Sequence, residues 1–439
     1  MKSYKIKLIG LLAASALLLT ACGGTGSKDT AQVPPTPSGD QPSPANKAPE
    51  PVTLNFFYNG FSESLTNEVK RMIETKFPHV TINMILHGTG KTINDVLLAG
   101  TEVDLAAFTM GQLFNVLDLQ LASDLTDLIK KHQFDLGRLA DGVLDTVRGY
   151  SEKGDIPVMP YELNNSVLLY NKTIFNKFGL PYPTDGMTWD GVYDIVKKTS
   201  REDNGVVYRG FAYTGANPVY KNQLGLPFVD PQTNKAALNT DSWKKWLQTM
   251  TGFYAIDNNK LQASTADNLF FKDMVMALRT GPNPLDLLPP AIKNGLDWDA
   301  VSMPTFSAAE SSGSQMNAPF YIIPPQSKKR DAAFEVIAYL MSDEVQSWGA
   351  KQGRVPIVKS KAVSDHYGED LPFLKGTNYS KAVFAEKIAK PIRVTKYDGI
   401  ARTELTNTLA KVATNGTDPN TALREAEELA NKAIQEAKR

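Results

Sequence analysis

Cysteine is nearly missing from this chain of 439 residues: Cys22 is the only one, and a single thiol excludes an internal disulfide. The four histidines, at positions 79, 87, 132 and 366, show no spacing of the H-x-x-x-H or H-x-x-E-H kind, so a zinc centre has no obvious ligands. An excess of one charge is also missing. Lys plus Arg and Asp plus Glu each number 47, and this balance gives no electrostatic footprint for nucleic acid or an acidic lipid surface. Beyond the first twenty residues no apolar run reaches the ~20 residues that a membrane-spanning helix needs. There is no internal repeat and no G-x-S-x-G nucleophile elbow. The stretch "HGTGKTIND" imitates a phosphate-binding loop, yet Ile85 stands where the motif requires its first glycine. It reads instead as a polar loop before a helix cap.

What is present begins with "KIKLIGLLAASALLLTACGG". Lys2, Lys5 and Lys7 precede an apolar run from Leu8 to Leu19, too short to span a bilayer and of the right length for a secretory leader over residues 1–21. "LTAC" resembles the bacterial lipobox, in which the cysteine sulfur takes a diacylglyceryl group and becomes the first residue after cleavage. Lipid attachment is therefore expected at Cys22. The following segment, completing a tether over 22–51, is rich in Pro, Gly, Ser and Thr and too poor in large apolar residues to fold. At ~3 Å per residue it would reach several nanometres from the membrane.

The remaining chain, from Val52, is long enough for two domains. "VTLNFFYNG" reads as a strand, "SESLTNEVKRMIETKF" as a helix with Leu65, Val69, Met72 and Ile73 at helical spacing, and "HVTINMIL" as a second strand. "TINDVLLAG" reads as a helix stopped by Gly100, and "VDLAAFTM" as a buried strand. Strands alternating with helices predict a parallel α/β sheet, whose ligands sit at the carboxyl ends of the strands. Tyr58, Asn59, Phe61, Thr89, Thr109 and Met110 follow those ends and are candidate loop residues.

The stretch "VMPYELNNSVLLYNKTIFNKFGLPYPTDGMTWDGVYDIVKKTS" resembles the signature of extracellular solute-binding proteins of bacterial ABC importers, in the group that includes maltose- and oligosaccharide-binding proteins. The resemblance is carried by Tyr170, Asn171, Lys172, Phe175, Gly179, Leu180, Pro181, Thr188 and Trp189. It extends to "FPHVTIN", to "APFYIIPPQSKKRDAAFEVIAYLMSDEVQSWGAKQGRVPIVKS" and to the helix-rich end, and so covers almost all of the chain after the tether. It implies a two-lobed, periplasmic-binding-protein-like α/β fold with hinge crossings near 167–171, 320–324 and 391–397 and a ligand cleft between the lobes. The expected first lobe is 52–168 plus 326–390, and the second is 171–318 plus 398–439. Most of the signature reads as structural: Trp189 packs the start of a helix, and Asn171 and Lys172 fix a turn.

The resemblance implies a monomeric, lipid-anchored receptor at the outer face of the cytoplasmic membrane. It would capture a solute, with a carbohydrate expected, and deliver it to the transmembrane subunits of a permease. No cofactor, metal or catalytic residue is expected. Sugar sites mix aromatic rings with paired hydrogen-bonding groups, and Tyr58, Asn59, Phe61, Tyr161, Glu162, Asn164 and Tyr397 form such a set. Thr109, Gly281, Asn283 and Met316 complete the expected ligand residues. Members that bind sugars often carry a Trp shortly after a Gly in the second lobe, where this chain has Gly281, Pro282 and Asn283. Its tryptophans at 189, 243, 246, 298 and 348 all fall in segments read as structural support. Two alternatives stay open. The same fold could hold a peptide or charged small solute, with Glu162 or Arg354 as counter-charge, and a carbohydrate-active hydrolase needs only two facing carboxylates.

Overall fold

The computed structural model describes residues 49–60, 63–151, 153–260, 266–306 and 313–438. The leader, Cys22, nearly all of the tether and Phe61 lie outside the described residues. Two five-stranded sheets organise the chain. In the first, the order is Val80–Leu86, Val52–Tyr58, Leu105–Phe108, Phe320–Ile322, Met159–Pro160. Its first three strands are parallel, with Val52 opposite Val80 and Phe56 opposite Leu105. The alternation of these strands with helices is what the parallel reading rested on. The helix Glu63–Lys76 buries Val69, Met72 and Ile73, and Thr92 caps Ile93–Leu98 in a reciprocal capping box with Asp95, so the phosphate-loop imitation is a helix start.

The second sheet departs from the parallel expectation. Its order is Trp298–Ser302, Val167–Asn171, Met276–Thr280, Val206–Tyr213, Arg201–Asp203. Val167–Asn171 runs antiparallel to both neighbours because it enters directly from a crossing and not from a βαβ unit. The last two strands in this order form a hairpin around Asn204 and Gly205, both at positive φ (51° and 78°), the pairing that a two-residue turn of twisted strands requires.

Each sheet has its own core. Leu54, Phe56, Phe108, Phe320, Phe334 and Ile337 belong to the first; Leu168, Phe175, Trp189, Phe211, Trp243 and Leu405 belong to the second. The signature residues are structural. Asn171 accepts from the Thr173 and Ile174 amides at the start of Lys172–Lys177, and Trp189 is buried against Phe211 and Phe253 with its indole N–H on Gln223.

The expected boundaries shift with these cores. Val167–Asn171 is already a strand of the second sheet, so the first crossing lies ahead of it, at 161–166. Met316 and Ala318 pack in the first core, and Phe320–Ile322 pairs with Leu105–Phe108, so the second crossing precedes 320–324. The segment 326–390 is divided. Phe334, Ile357 and Val363 lie in the first core, whereas Tyr367, Leu374, Tyr379 and Val383 lie in the second. The reason is local: Asn378 bonds the Ala300 carbonyl, and Tyr379 meets Trp298 edge to face. At the chain's end, Asp398–Asn415 and Pro419–Ala437 pack antiparallel across a turn made by Gly416 at φ 65°, with Asp418 capping the second helix. No helix among the described residues is long and apolar enough to cross a membrane.

Candidate functional site

A small cavity of about 50 Å³ lies between the residues of the two cores. Both walls are built by chain that has just left the carboxyl end of a strand. After Leu105–Phe108 the chain turns through 110–112 into Leu113–Asp118; Leu113 and Val116 anchor that helix in the first core, and Phe114 faces the cavity. After Val206–Tyr213 it enters Asn217–Lys221, where Val219 is anchored in the second core and Tyr220 faces the cavity. Tyr150 and Thr146 add to the first wall, Phe228 to the second, and Gln315, Met316, Ile392 and Val394 come from the second and third crossings.

Arg402 crosses this space. The helix Asp398–Asn415 buries Ala401, Leu405, Leu409 and Val412 along one stripe, which leaves Arg402 at the stripe's edge. Its guanidinium carbon stands 4.7 Å from the Phe114 ring centroid and 4.8 Å from that of Tyr220, so a ring from each lobe lies against the cation. Nη2 donates to the Gly111 carbonyl at a long 3.5 Å. A Cβ on Gly111 would stand 3.4 Å from the Tyr220 hydroxyl, so the lobes approach closely here. Burial lowers the Arg402 pKa and raises that of Tyr150, whose hydroxyl finds only the Met110 sulfur, at 3.9 Å. Asp398, one turn before Arg402, is fully buried and its carboxyl is pushed up to about 6, although Thr395 donates to its Oδ1 twice.

Of the expected ligand residues, Met316 lines this cavity, as does Met110. Tyr397 heads the Asp398–Asn415 helix and lines an adjoining cavity with Asp118 and Lys396. Asn59 and Thr109 sit at strand ends nearby: Asn59 Nδ2 donates to Gln112 Oε1 at 2.6 Å, and the Thr109 methyl faces Gly60. Asn164 lies on the first crossing, where its carbonyl accepts from Lys221 Nζ beside the buried Lys221–Glu386 pair.

Others are gathered elsewhere. Tyr58 and Tyr161 pack with Tyr321, and the Tyr161 and Tyr321 rings stack at 4.3 Å. Glu162 pairs with Arg354 at 2.9 Å, and the two line a separate cavity against Val345 and Trp348. Burial raises the Glu162 pKa, opposed by Arg354. Asn283 is spent on structure: it donates to the Gly353 carbonyl and accepts from Leu285 N–H. Gly281 is required by close approach, since a Cβ there would meet Thr214 Cβ at 2.8 Å. The residues that sequence reasoning missed are Phe114, Tyr150, Tyr220 and Arg402. Phe114 lies six residues beyond the third strand's end at Phe108 and could have been reached by following it that far. Among the described residues no group of three or more His, Cys, Asp or Glu could hold a metal ion.

The family profile described as bacterial extracellular solute-binding protein matches residues 69–372. The chain belongs to that family. No curated protein matches this solute-binding protein in sequence. Among solved structures, it is similar to an ABC substrate-binding protein from Listeria monocytogenes in complex with cycloalternan, with 18% identity, a TM-score of 0.71, and coverage of 88% of this chain and 100% of that one. A solute-binding protein from Thermotoga lettingae bound with α-D-tagatose gives 20% identity, a TM-score of 0.66, and coverage of 87% and 99%. One from Agrobacterium radiobacter in complex with ribitol gives 20%, 0.65, 88% and 100%. At these identities the likeness is one of fold, and the fold is the two-lobed one.

Proposed function

We propose that this solute-binding protein is the substrate-binding lipoprotein of an ABC importer and that its solute is a carbohydrate held in the cavity around Phe114 and Tyr220. The observation that carries this reading is that each lobe contributes aromatic rings, Phe114 and Tyr150 from one and Tyr220 and Phe228 from the other, to a single space. Sugar rings stack on such faces while their hydroxyls take hydrogen bonds from the polar groups between them. The similar proteins described above were solved with an oligosaccharide, a ketose and a polyol.

Because both walls touch the same space, a solute there contacts both lobes and favours the closed arrangement over the open one. A ligand touching one lobe alone has no differential contact with which to drive closure. The crossings at 161–166, 313–319 and 385–397 would act as hinges, and the closed form is what a permease would recognise. The protein acts by binding and not by catalysis, as a monomer, held at the outer face of the cytoplasmic membrane by acyl chains on Cys22 and the tether after it. Cys22→Ser should then leave the protein unprocessed or released, with solute affinity unchanged.

A thermal-shift screen over sugars, polyols, peptides and polyamines tests the reading. A ligand of the folded state at about 100 times its Kd adds roughly 2.7 kcal/mol of stability. Stabilisation by a carbohydrate is expected; stabilisation by peptides or polyamines alone would overturn the carbohydrate assignment.

A further inference from the structure

The charged groups around the cavity are unequal in number although the chain as a whole is neutral. Three cavities meet at Val394: the central one, one beside Gly149 to Gly154, and one beside Asp118 and Tyr397. Among the described residues, the charged ones lining them are Lys153, Arg393, Lys396 and Arg402, against Asp118. Burial raises the Asp118 pKa, opposed by Lys396.

Arg402 is the member of this group that has most to gain from an anion. It is partly buried between two rings, and no Asp or Glu lies within salt-bridge distance of it among the described residues. The nearest acid on its own helix, Asp398, spends Oδ1 on Thr395 and bears on Arg402 through Coulombic attraction without a salt bridge. Of five guanidinium N–H donors, one reaches a protein acceptor, the Gly111 carbonyl, at the limit of hydrogen-bond length. A desolvated cation with unused donors at the edge of a cavity is costly until an anion arrives. The rings of Phe114 and Tyr220 lie against the cation and offer it no oxygen acceptor along its donors, which leaves those donors for a ligand. Arg receives a carboxylate through two parallel bonds.

We infer that the solute is an acidic carbohydrate whose carboxylate binds Arg402 while its sugar ring stacks on the aromatic walls. The inference rests on the carbohydrate reading and narrows it: the solute is a uronic acid or a short oligosaccharide containing one. Lys153, Arg393 and Lys396 around the adjoining cavities raise the local concentration of such an anion. A single delocalised cation at the centre matches a monoanion.

The test is a paired screen on the full chain. Glucuronate and galacturonate, and their dimers, are compared by calorimetry and thermal shift with glucose, galactose and the neutral dimers, and with the hexose 6-phosphates, at low and high salt. The acid is expected to bind about tenfold or more tightly than its neutral counterpart, with its affinity falling as salt rises. Arg402→Gln should remove about that tenfold preference, weakening the acid more than its neutral counterpart. Arg402→Lys should restore part of it, because an ammonium keeps the charge and loses the fork. Equal or better binding of the neutral sugars would overturn the acidic assignment and leave the carbohydrate reading standing. Preference for the phosphates over the uronates would overturn the carboxylate. Failure of every sugar, acidic and neutral, would overturn the carbohydrate reading and this inference with it. If Arg402→Gln does not fold, the wild-type comparison of acid with neutral partner decides the matter alone.

Discussion

Tyr58, Tyr161 and Tyr321 gather beside the Glu162–Arg354 pair, while Phe114, Tyr150 and Tyr220 gather beside Arg402. The two groups use the same kinds of side chain. In the first, the Tyr161 ring is covered by Tyr321, the guanidinium is bonded to a carboxylate, and Gln346 donates to the Tyr161 carbonyl. In the second, rings from two lobes face a shared space, and the guanidinium has a single long hydrogen bond to a carbonyl. A binding site differs from a piece of core by capacity that the fold leaves unspent, not by the residue types it contains.

The comparison breaks most visibly at Arg354. Removing it strands Glu162 in a largely buried position, so Arg354→Ala should lose about 3–5 kcal/mol of stability in urea denaturation, with solute affinity of the folded protein unchanged. A stable variant that no longer binds would move the site to this cluster. Tyr161→Ala should behave alike, losing about 3 kcal/mol through loss of a stacked, buried ring. The expectation that Tyr161 stacks on a sugar predicts the opposite pattern, intact stability with weakened binding.

Asp398 sharpens the contrast through the sign of its pH dependence. Its folded-state pKa, about 6, lies above the ordinary 3.8, so between those values the native state holds a proton that the unfolded chain has lost. Stability from this group therefore rises as pH falls from about 7 to about 4, by about 2–3 kcal/mol, and is constant below. Asp398→Asn should abolish that increment, read as the difference between the two proteins' denaturation curves across the range. Were Asp398 a salt-bridge partner of Arg402, its pKa would be depressed and the difference would run the other way. The smallest effect is expected at Tyr220→Ala: about 1–2 kcal/mol of solute affinity by calorimetry, with little change in denaturation midpoint, because the ring is partly exposed at the cavity edge and not embedded in a core.

The first lobe was legible in the sequence because its period-2 and period-3.6 patterns are local. Val52–Tyr58, Val80–Leu86 and Leu105–Phe108 fall where the apolar runs place them, and Thr92 caps the helix where its polar loop ends. The second sheet was less legible. Val167–Asn171 is buried throughout, and its apolar run does not reveal whether its neighbours are parallel. The division of 326–390 depends on contacts far apart in sequence, such as Asn378 with Ala300, which no local pattern carries. For the site, following strand ends led to Met110 but stopped short of Phe114, and the search for Tyr and Glu led to Tyr161 and Glu162. Those two look like ligand residues in sequence because the partners that occupy them, Tyr321 and Arg354, come from chain more than 150 residues away.

The account's central claim is that solute binds between the rings of the two lobes. A crystal structure of the full chain with the carbohydrate that most raises its melting temperature tests this most directly. The sugar ring is expected against Phe114, Tyr150 or Tyr220, with a polar group of the solute on Arg402. Solute lodged against Tyr161 and Glu162, with the cavity around Arg402 unchanged, would contradict it.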